Sequence, residues 1–462
     1  MPTPAATSAD EPRPAASGED DHLRELIETD HISTVLLAVP DLQGRLKGKA
    51  HDARHYLQRI AGEGAEACAY VLATDVDMRP VDGYALSSWD TGYGDLRLIP
   101  DPATLRVLPW ASRTALVFAD AHDLDGQPVQ VAPRQVLRRQ LKELEARLGM
   151  SAKVGLEAEF FLYPCDPARI ADGRPLAPVS PHNLDYTLDH PAPLAPYLRT
   201  LPEHLRLAGM PVEAVKTEGA PGQVEVTFPY GDPLKACDSH LVFKHGARAV
   251  ADGQGLVPTF MAAPATGLAS GLHIHLSLWN GDKPVLADST GELSPVALQV
   301  IAGLLDALPQ LAPLYAPTPN SYRRFRPDSF APTHFTWGHD NRACAVRVTG
   351  HGRGRHLEIR LPGADVNPYL ALAAVLAAAH HGIREALTPP PASTGNAYKT
   401  TAHAPVPASL DQALAAYVDG GLAEHLLTPT VARHYQNAAQ VELDALRYEV
   451  PDTERRRGFT RA

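Results

Sequence analysis

Two carboxylates two residues apart, Glu157 and Glu159, stand inside an otherwise apolar and aromatic run, Gly155-Leu156-Glu157-Ala158-Glu159-Phe160-Phe161-Leu162-Tyr163. The run has the composition of a strand close to a core. Side chains at i and i+2 of a strand share a face, so the two carboxylates project into one space. Like charges crowded in a buried place are costly unless something pairs them. Either this face is wet, or a cation sits between the two. Taken alone, the pattern fits a solvated edge strand, because glutamate prefers the surface.

Other segments repeat the pattern. His273, His275 and Ser277 alternate with Leu272, Ile274, Leu276 and Leu278, and His356, Glu358 and Arg360 alternate with Leu357, Ile359 and Leu361. Glu218 and Glu225 flank Gly219, Ala220, Pro221 and Gly222, a turn that can bring the two together. Polar faces built from Glu, His and Arg on several apolar strands point to one concave charged site. Five carboxylates with one or two histidines and no thiolate suit Mg²⁺ or Mn²⁺ better than zinc. Arg323, Arg324, Arg342, Arg347, Arg353, Arg355 and Arg360 fall in the same part of the chain, and arginine matches carboxylate and phosphate geometry with two parallel hydrogen bonds. Carboxylate-held metals beside arginines are the components of phosphoryl transfer from a nucleotide. There is no Gly-x-x-x-x-Gly-Lys-Ser/Thr loop. The glycine-rich stretch 350–354 reads as either a phosphate-approaching loop or a plain connection between strands.

The chain has 462 residues, 44% of them hydrophobic and 21% charged, which suits a globular protein with more than one domain. A net charge of −11 argues against a nucleic-acid partner. The four cysteines, Cys68, Cys165, Cys237 and Cys344, are scattered. They suggest neither a disulfide framework nor a thiolate zinc site, and a reducing, cytoplasmic setting is expected. Residues 1–20 read as a disordered tail rather than a signal peptide. The longest apolar run, 369–379, is far short of the ~20 residues a membrane span needs.

Residues 21–125 read as a small, mainly β N-terminal domain. It carries a helix at 22–28, strands at 32–39 and 45–49 around a turn at 41–44, and a helix at 56–60. A strand at 67–73, a long polar loop at 75–98, and strands at 105–108 and 115–120 follow. Residues 130–462 read as a larger α/β or α+β domain. Its helices are expected at 135–148, 233–252, 295–312, 367–384, 409–424 and 433–446. Its strands are expected at 153–163, 212–217, 223–228, 256–261, 272–279, 343–348 and 356–361.

In order along the chain, Glu157-x-Glu159, Glu218 with Pro221-Gly222-Gln223-x-Glu225, Ser270-Gly271-Leu272-His273-x-His275-x-Ser277, Asn320-Ser321-Tyr322-Arg323-Arg324, Asn341-Arg342 and Glu358-x-Arg360 with Asn367-Pro368-Tyr369 resemble the signatures of class I glutamine synthetases. The resemblance spans roughly 25–460. It implies an α+β chain: a small N-terminal β-grasp domain and a large catalytic domain whose antiparallel strands form a funnel-shaped barrel around two or three Mg²⁺ or Mn²⁺ ions. It also implies a dodecamer of two hexameric rings with sites between neighbouring subunits. By position, Glu159, Glu218 and Glu225 resemble the ligands of one metal, and Glu157, His273 and Glu358 those of another. His275, Ser277, Arg342, Arg347, Arg355 and His356 resemble ATP contacts. Glu159, Ala269, His273, Arg324 and Arg360 resemble glutamate contacts, and Arg324, Arg342 and Arg360 the catalytic arginines. The implied reaction phosphorylates glutamate's side-chain carboxylate with ATP, after which an amine displaces phosphate.

Departures from the family pattern bear on the amine. Phe330 stands where the family has a glutamate that closes over the ammonium site, next to Ser329. A second ammonium-site acid of the N-terminal loop corresponds to Asp82 in one register and is missing in another. Leu268-Ala269 replaces the usual Asn-Gly, and His356 replaces an arginine. Tyr398 reads as an ordinary exposed tyrosine. The resemblance is compatible with three functions: a glutamate–amine ligase, an ordinary glutamine synthetase and an inactive structural or regulatory descendant. The intact metal-ligand positions argue against the last and Phe330 against the second. The sequence therefore favours an ATP-dependent ligase joining glutamate to a primary amine larger than ammonia, a small monoamine such as ethanolamine ahead of a polyamine.

Overall fold

The structure, a computed structural model, describes residues 18–400 and 402–461. Most of the stretch expected to be a disordered tail, residues 1–17, lies outside the described residues. Its last residues do not follow the expectation, because the first helix, Gly18–Glu28, begins inside it.

The first sheet contains β1 (Thr34–Pro40), β2 (Leu46–Asp52), β3 (Ala65–Cys68), β4 (Asp95–Pro100), β5 (Arg106–Val107) and β6 (Thr114–His122). Its strands run in the order β2-β1-β6-β4-β3, with β5 also on β6. β1 and β6 are parallel, and the hairpin β1-β2 is antiparallel. The hairpin turns at Asp41, whose carboxylate accepts from the backbone N–H groups of Gln43 (3.1 Å) and Arg45 (2.7 Å). Two sequence expectations change here. The strand expected at 67–73 ends at Cys68, and the chain continues as a 3-10 turn, Ala69–Leu72, that buries Ala69 and Leu72 together instead of alternating. The loop expected to reach residue 98 gives way to β4 at Asp95, because Leu96 and Leu98 alternate inward and the strand pairs with β3 and β6.

The second sheet contains β7 (Ser151–Pro164), β8 (Ala214–Thr217), β9 (Gln223–Thr227), β10 (Leu256–Thr259), β11 (Leu272–Asn280), β12 (Lys283–Pro284), β13 (Trp337–His339), β14 (Val346–Thr349) and β15 (His356–Ile359). The order is β13-β14-β15-β11-β7-β9-β8, with β10 on β7 and β12 on β11. All pairings are antiparallel except β13-β14. The alternating residues bury Leu156, Ala158, Phe160, Ile274, Leu276, Leu357 and Ile359 on one face, which leaves the polar residues to share the other.

Helices cover the apolar face. Pro368–Arg384 is buried along almost its whole length and crosses Pro295–Ala307 at Gly303 and Gly382. A methyl group on Gly303 would lie 2.2 Å from the Ala378 carbonyl oxygen, and one on Gly382 2.1 Å from that of Gln299. Only glycine admits this approach. The helix expected at 295–312 stops at Ala307, with Pro309 in the next turn unable to donate. The one expected at 409–424 divides at Gly421, whose φ is +73°. Ala195–Leu207 is a helix that sequence periodicity did not disclose, with Pro202 inside it.

Arg134 joins the two sheets. Only 2% exposed, it donates to Asp238 (2.9 and 3.1 Å), Asp120 (2.8 Å) and Asp101 (2.9 Å), and Tyr369 also hydrogen-bonds Asp238. Asp101 and Asp120 belong to the N-terminal sheet region, Asp238 and Tyr369 to helices beneath the second sheet. A buried cation with all three nitrogens engaged is held in one geometry, and losing a partner leaves an uncompensated charge costing about 3–5 kcal/mol. Asn367 adds a second tie, donating to the carbonyls of Asp41 (2.9 Å) and Leu42 (3.2 Å).

The Pro429–Arg447 helix pins the 75–95 loop. His434 packs against buried Tyr84 at 4.6 Å between ring centres, and Asn437 donates to the Asp82 carbonyl at 3.0 Å. Burial pulls the His434 imidazole from its ordinary 6.5 down to about 4. Below pH 6.5 the unfolded chain takes up a proton that the folded chain refuses. This residue's contribution to stability is complete above pH 6.5 and is lost as pH falls toward 4. Denaturant titrations at pH 7 and pH 4 are expected to show a loss about 3 kcal/mol larger for the parent than for His434→Gln. Parallel losses in the two proteins would show that the imidazole is not held neutral.

Candidate active site

The strand register builds a charged surface. Glu157 on β7 faces His273 on β11, and Glu159 faces Glu225 on β9, which faces Lys216 on β8. Glu358 on β15 faces His275 on one side and Arg347 of β14 on the other. The turn after β8 returns Glu218 to the same place, with the Glu218 N–H donating to the Gln223 carbonyl at 3.0 Å. Two groups of donors result. Ligand atoms of Glu159, Glu218 and Glu225 lie within 4.8 Å of one another, as do those of Glu157, His275 and Glu358. His273, the histidine expected in the second group, also reaches it. Its Nδ1 is 3.4 Å from Glu157 and 3.5 Å from Glu358, and its Nε2 is 3.4 Å from the Arg324 guanidinium. The structure thus brings together every expected metal ligand and adds His275.

Backbone approach makes this packing feasible. The Gly271 N–H donates to Glu159 at 2.6 Å, and a Cβ on Gly271 would lie 2.7 Å from both the Arg324 guanidinium and His273 Nε2. Gln223 donates to Glu159 (3.2 Å) and to the Ala269 carbonyl (2.9 Å), tying the 267–269 loop to the acid cluster.

The residues fit divalent cations. The His356 Nδ1–H donates to the Gly354 carbonyl at 2.8 Å, which leaves its Nε2 to accept from the His275 Nδ1–H at 3.1 Å. His275 Nε2 then presents a lone pair to a Glu157 carboxylate oxygen at 3.1 Å. Two acceptors that close require a shared proton or a cation, and a ring N–H anchored behind a ligating histidine is the usual arrangement at metals. The acids show the same crowding. Burial raises the Glu157 carboxyl, but the neighbouring His273 and His275 imidazoles overcome that and hold it well below the usual range. Burial and then the neighbouring Glu157 push the Glu225 carboxyl far above it. Carboxyls pushed in opposite directions this close together are a place where a bound cation relieves the crowding.

The arginines are fixed. Arg360 donates to Glu358 and, at 3.1 Å, to the Arg342 carbonyl. Arg324 is buried and donates at 3.0 Å to the carbonyls of Arg360 and Leu361. Arg347 bridges Glu358, at 2.7 Å, and Asp340. Arg342, Arg347 and Arg360 line a cavity of about 600 Å³ together with both acid groups, Ala269, Ser329 and Phe330. Beyond Glu157 and His275 lies a cleft of about 280 Å³, lined by Ser277, Arg353, Arg355, His356, Phe228 and Tyr230 among others. The 350–354 loop is therefore a lip of this cleft. Sequence reasoning missed Lys153, whose ammonium lies 3.7 Å from the Trp279 ring centre, and Trp279, which donates to Ser277 at 2.9 Å. It also missed Lys216, and it placed Gln223 in a motif without giving its side chain a role. Lys153 lies on the same strand as Glu157, and the alternation already applied to that strand could have found it.

The residues read as an amine pocket separate. Phe330, 66% exposed with φ +57°, faces the acid-lined cavity and also a neighbouring one of about 650 Å³ lined by Asp328, Asp340, Arg342 and Tyr398. The Ser329 hydroxyl is used within its own turn, donating to the Arg326 carbonyl at 2.6 Å and accepting from the Ala331 N–H at 3.3 Å. Asp82 is not brought to Phe330 within one chain. It lines a third cavity with Tyr84, Trp89 and Asp90. Tyr398 is half-buried in the cavity wall rather than exposed.

Residues 130–458 match the family profile described as glutamine synthetase, catalytic domain. The gamma-glutamylethanolamide synthetase of Streptomyces coelicolor is 46% identical over 443 residues, 96% of this chain and 96% of that protein. A glutamate–isopropylamine ligase of a Pseudomonas species is 34% identical over 422 residues, 89% of this chain and 92% of its own length. A solved structure of GmaS in complex with ADP superposes with a TM-score of 0.82 at 28% identity, covering 95% of this chain and 99% of that one.

The crowded acids lead to a measurable expectation. In a metal-free buffer at pH 8, Glu225→Gln should melt above the parent, because it removes a carboxyl whose ordinary ionisation burial and the neighbouring Glu157 oppose in the folded protein. Saturating Mn²⁺ at 100 times its dissociation constant should stabilise the parent by about 2.7 kcal/mol and the variant far less. An equal Mn²⁺-induced rise in both proteins would remove Glu225 from the cation site.

Proposed function

The chain belongs to the glutamine synthetase family, and from that premise we propose that it is an ATP-dependent glutamate–amine ligase. It joins the γ-carboxylate of glutamate to a small primary monoamine, such as ethanolamine, through a γ-glutamyl phosphate. The observation that carries the choice of amine is Phe330, an exposed aromatic wall on the cavity that holds the acids and arginines. The activities of the ethanolamide synthetase and the isopropylamine ligase support the same class of substrate.

Glu159, Glu218 and Glu225 hold one divalent cation, and Glu157, Glu358 and a histidine hold another, His273 by family position with His275 close enough to join. Such ions, Mg²⁺ or Mn²⁺, supply charge neutralisation at the transferring phosphate. The 280 Å³ cleft takes ATP, with His275, Ser277, Arg355 and His356 along it and Arg342 and Arg347 at the phosphate end. Arg324 and Arg360, with the Ala269 loop, hold glutamate so that its side-chain carboxylate meets the γ-phosphate. Their guanidinium forks stabilise charge as the acyl phosphate forms. The amine then attacks the acyl carbon and phosphate leaves.

An alkylammonium with a Lys-like pKa near 10.4 is only about 0.04% neutral at pH 7, a penalty of about 4.6 kcal/mol, so a base must take its proton. Asp328 lies beside Phe330 on both cavities. Asp82 serves as such a base across a subunit boundary, which fits its place in a separate cavity of its own chain. The assembly is a dodecamer of two hexameric rings. Residues 21–125 form a β-grasp domain and 130–462 the catalytic domain. Among the described residues no helix is long and apolar enough to cross a membrane, and the cytoplasm supplies both ATP and glutamate.

Phosphate release with ATP, glutamate and a panel of amines tests this reading. Ethanolamine and other short monoamines are expected to lead, since a phenyl wall gains roughly 0.8 kcal/mol per buried CH₂. Phe330→Glu should weaken use of the larger amine and raise ammonia use. A parent enzyme that prefers ammonium to every primary amine at equal concentration is a plain glutamine synthetase. Arg360→Lys keeps the charge but loses the planar fork. It should lower kcat/KM for glutamate by about 100-fold, the scale of one transition-state hydrogen-bond donor, and near-parental kinetics would count against this assignment.

A further inference from the structure

The Glu159, Glu218 and Glu225 group already faces a cation of the chain's own. Lys216 stands opposite Glu225 in the β8-β9 register. Its ammonium hydrogen-bonds Glu218 and lies 3.5 Å from Glu225, 4.0 Å from Asp185 and 4.6 Å from the centre of the Tyr186 ring. A hard divalent ion sits about 2.0–2.6 Å from carboxylate oxygens. An ion bound by Glu218 and Glu225 would therefore share those oxygens with the lysine ammonium and repel it at close range.

We propose that Lys216 is an internal counter-cation for this site, holding Glu218 and Glu225 together until a divalent ion takes its place. Three features let it leave. β8 is the edge of the sheet among the described residues. The Lys216 side chain is partly exposed. Asp185 and the Tyr186 face offer the displaced ammonium a second position, one carboxylate and one aromatic ring away. Both residues line the 600 Å³ cavity, so exchange at the metal group changes the wall that faces the substrates. The device sets metal selectivity by charge: a monovalent ion gains little over the resident ammonium, and a divalent ion displaces it.

The inference rests on the metal assignment above and is tested without substrates. Mn²⁺ binding to the full-length protein is followed by electron paramagnetic resonance of the free ion at fixed ionic strength. Lys216→Met should bind one class of Mn²⁺ about tenfold or more tightly than the parent, the scale of removing a like charge some 4 Å away. Lys216→Arg, which keeps the charge, should not. Without metal, Lys216→Met should melt below the parent, and saturating Mn²⁺ should close that gap. Melting curves also identify a variant that fails to fold, in which case Lys216→Gln replaces it. Unchanged or weaker Mn²⁺ binding in a folded Lys216→Met protein overturns the proposal. If Glu225→Gln keeps the parental Mn²⁺ isotherm, the metal assignment falls with it. Loss of binding in Glu225→Gln with no gain in Lys216→Met overturns the lysine's role alone.

Discussion

Repulsion among carboxylates on the inner face of the second sheet is the constraint to which the rest of the molecule answers. Glu157, Glu159, Glu225 and Glu358 stand on β7, β9 and β15, with the two histidines on β11 between β7 and β15, and Glu218 joins them by a turn. Each strand is anchored by buried apolar residues on its other face, Leu156, Ala158 and Phe160 on β7, Val224 and Val226 on β9, Leu357 and Ile359 on β15, so the acids cannot move apart without unpacking the core. The histidines, Arg347, Arg360 and Lys216 are compensations placed where those acids meet. A surface so expensive to assemble is stable only when its charges are balanced, and the substrates and ions of phosphoryl transfer complete that balance.

The scaffold behind this face is correspondingly stiff. Gly303 and Gly382 let two helices touch backbone to backbone, and Arg134 locks four carboxylate and phenol groups from three parts of the chain around one guanidinium. The Asn367 side chain reaches the Asp41 turn, so the start of the long buried helix also fixes the first hairpin. These ties keep strand register, and register decides which residues face which. A slip of one residue in β11 would exchange His273 and His275 for Ile274 and Leu276 on the polar face.

Much of this was legible because alternation on a strand is a local signal. Glu157 with Glu159, His273 with His275, and Glu358 with Arg360 could be assigned to shared faces from spacing alone, and the family resemblance ordered them. What escaped was set by tertiary contact. The Ala195–Leu207 helix contains a proline, and the turn after Cys68 buries two neighbours that a strand would have divided. Lys216 carries no motif, since a lysine on a short strand reads as solvated. Its meaning comes from Glu225 across the ladder and Glu218 around the turn. Asp82 and Phe330 lie far apart in sequence, and within one chain they line separate cavities. No pattern in a single chain says which surfaces meet.

Residue 330 divides its labour between main chain and side chain. Its carbonyl accepts from the Arg360 guanidinium at 3.4 Å, and its backbone holds a left-handed conformation with Asp328 nearby in the same region of φ. The ring projects outward from that fixed point. The contact to the arginine is therefore indifferent to which side chain the position carries. A lineage can exchange the outer wall of this cavity by single codon changes while the acids and arginines behind it are inherited intact. In this architecture, new nucleophiles can be recruited one residue at a time, without re-evolving the activation of the acid.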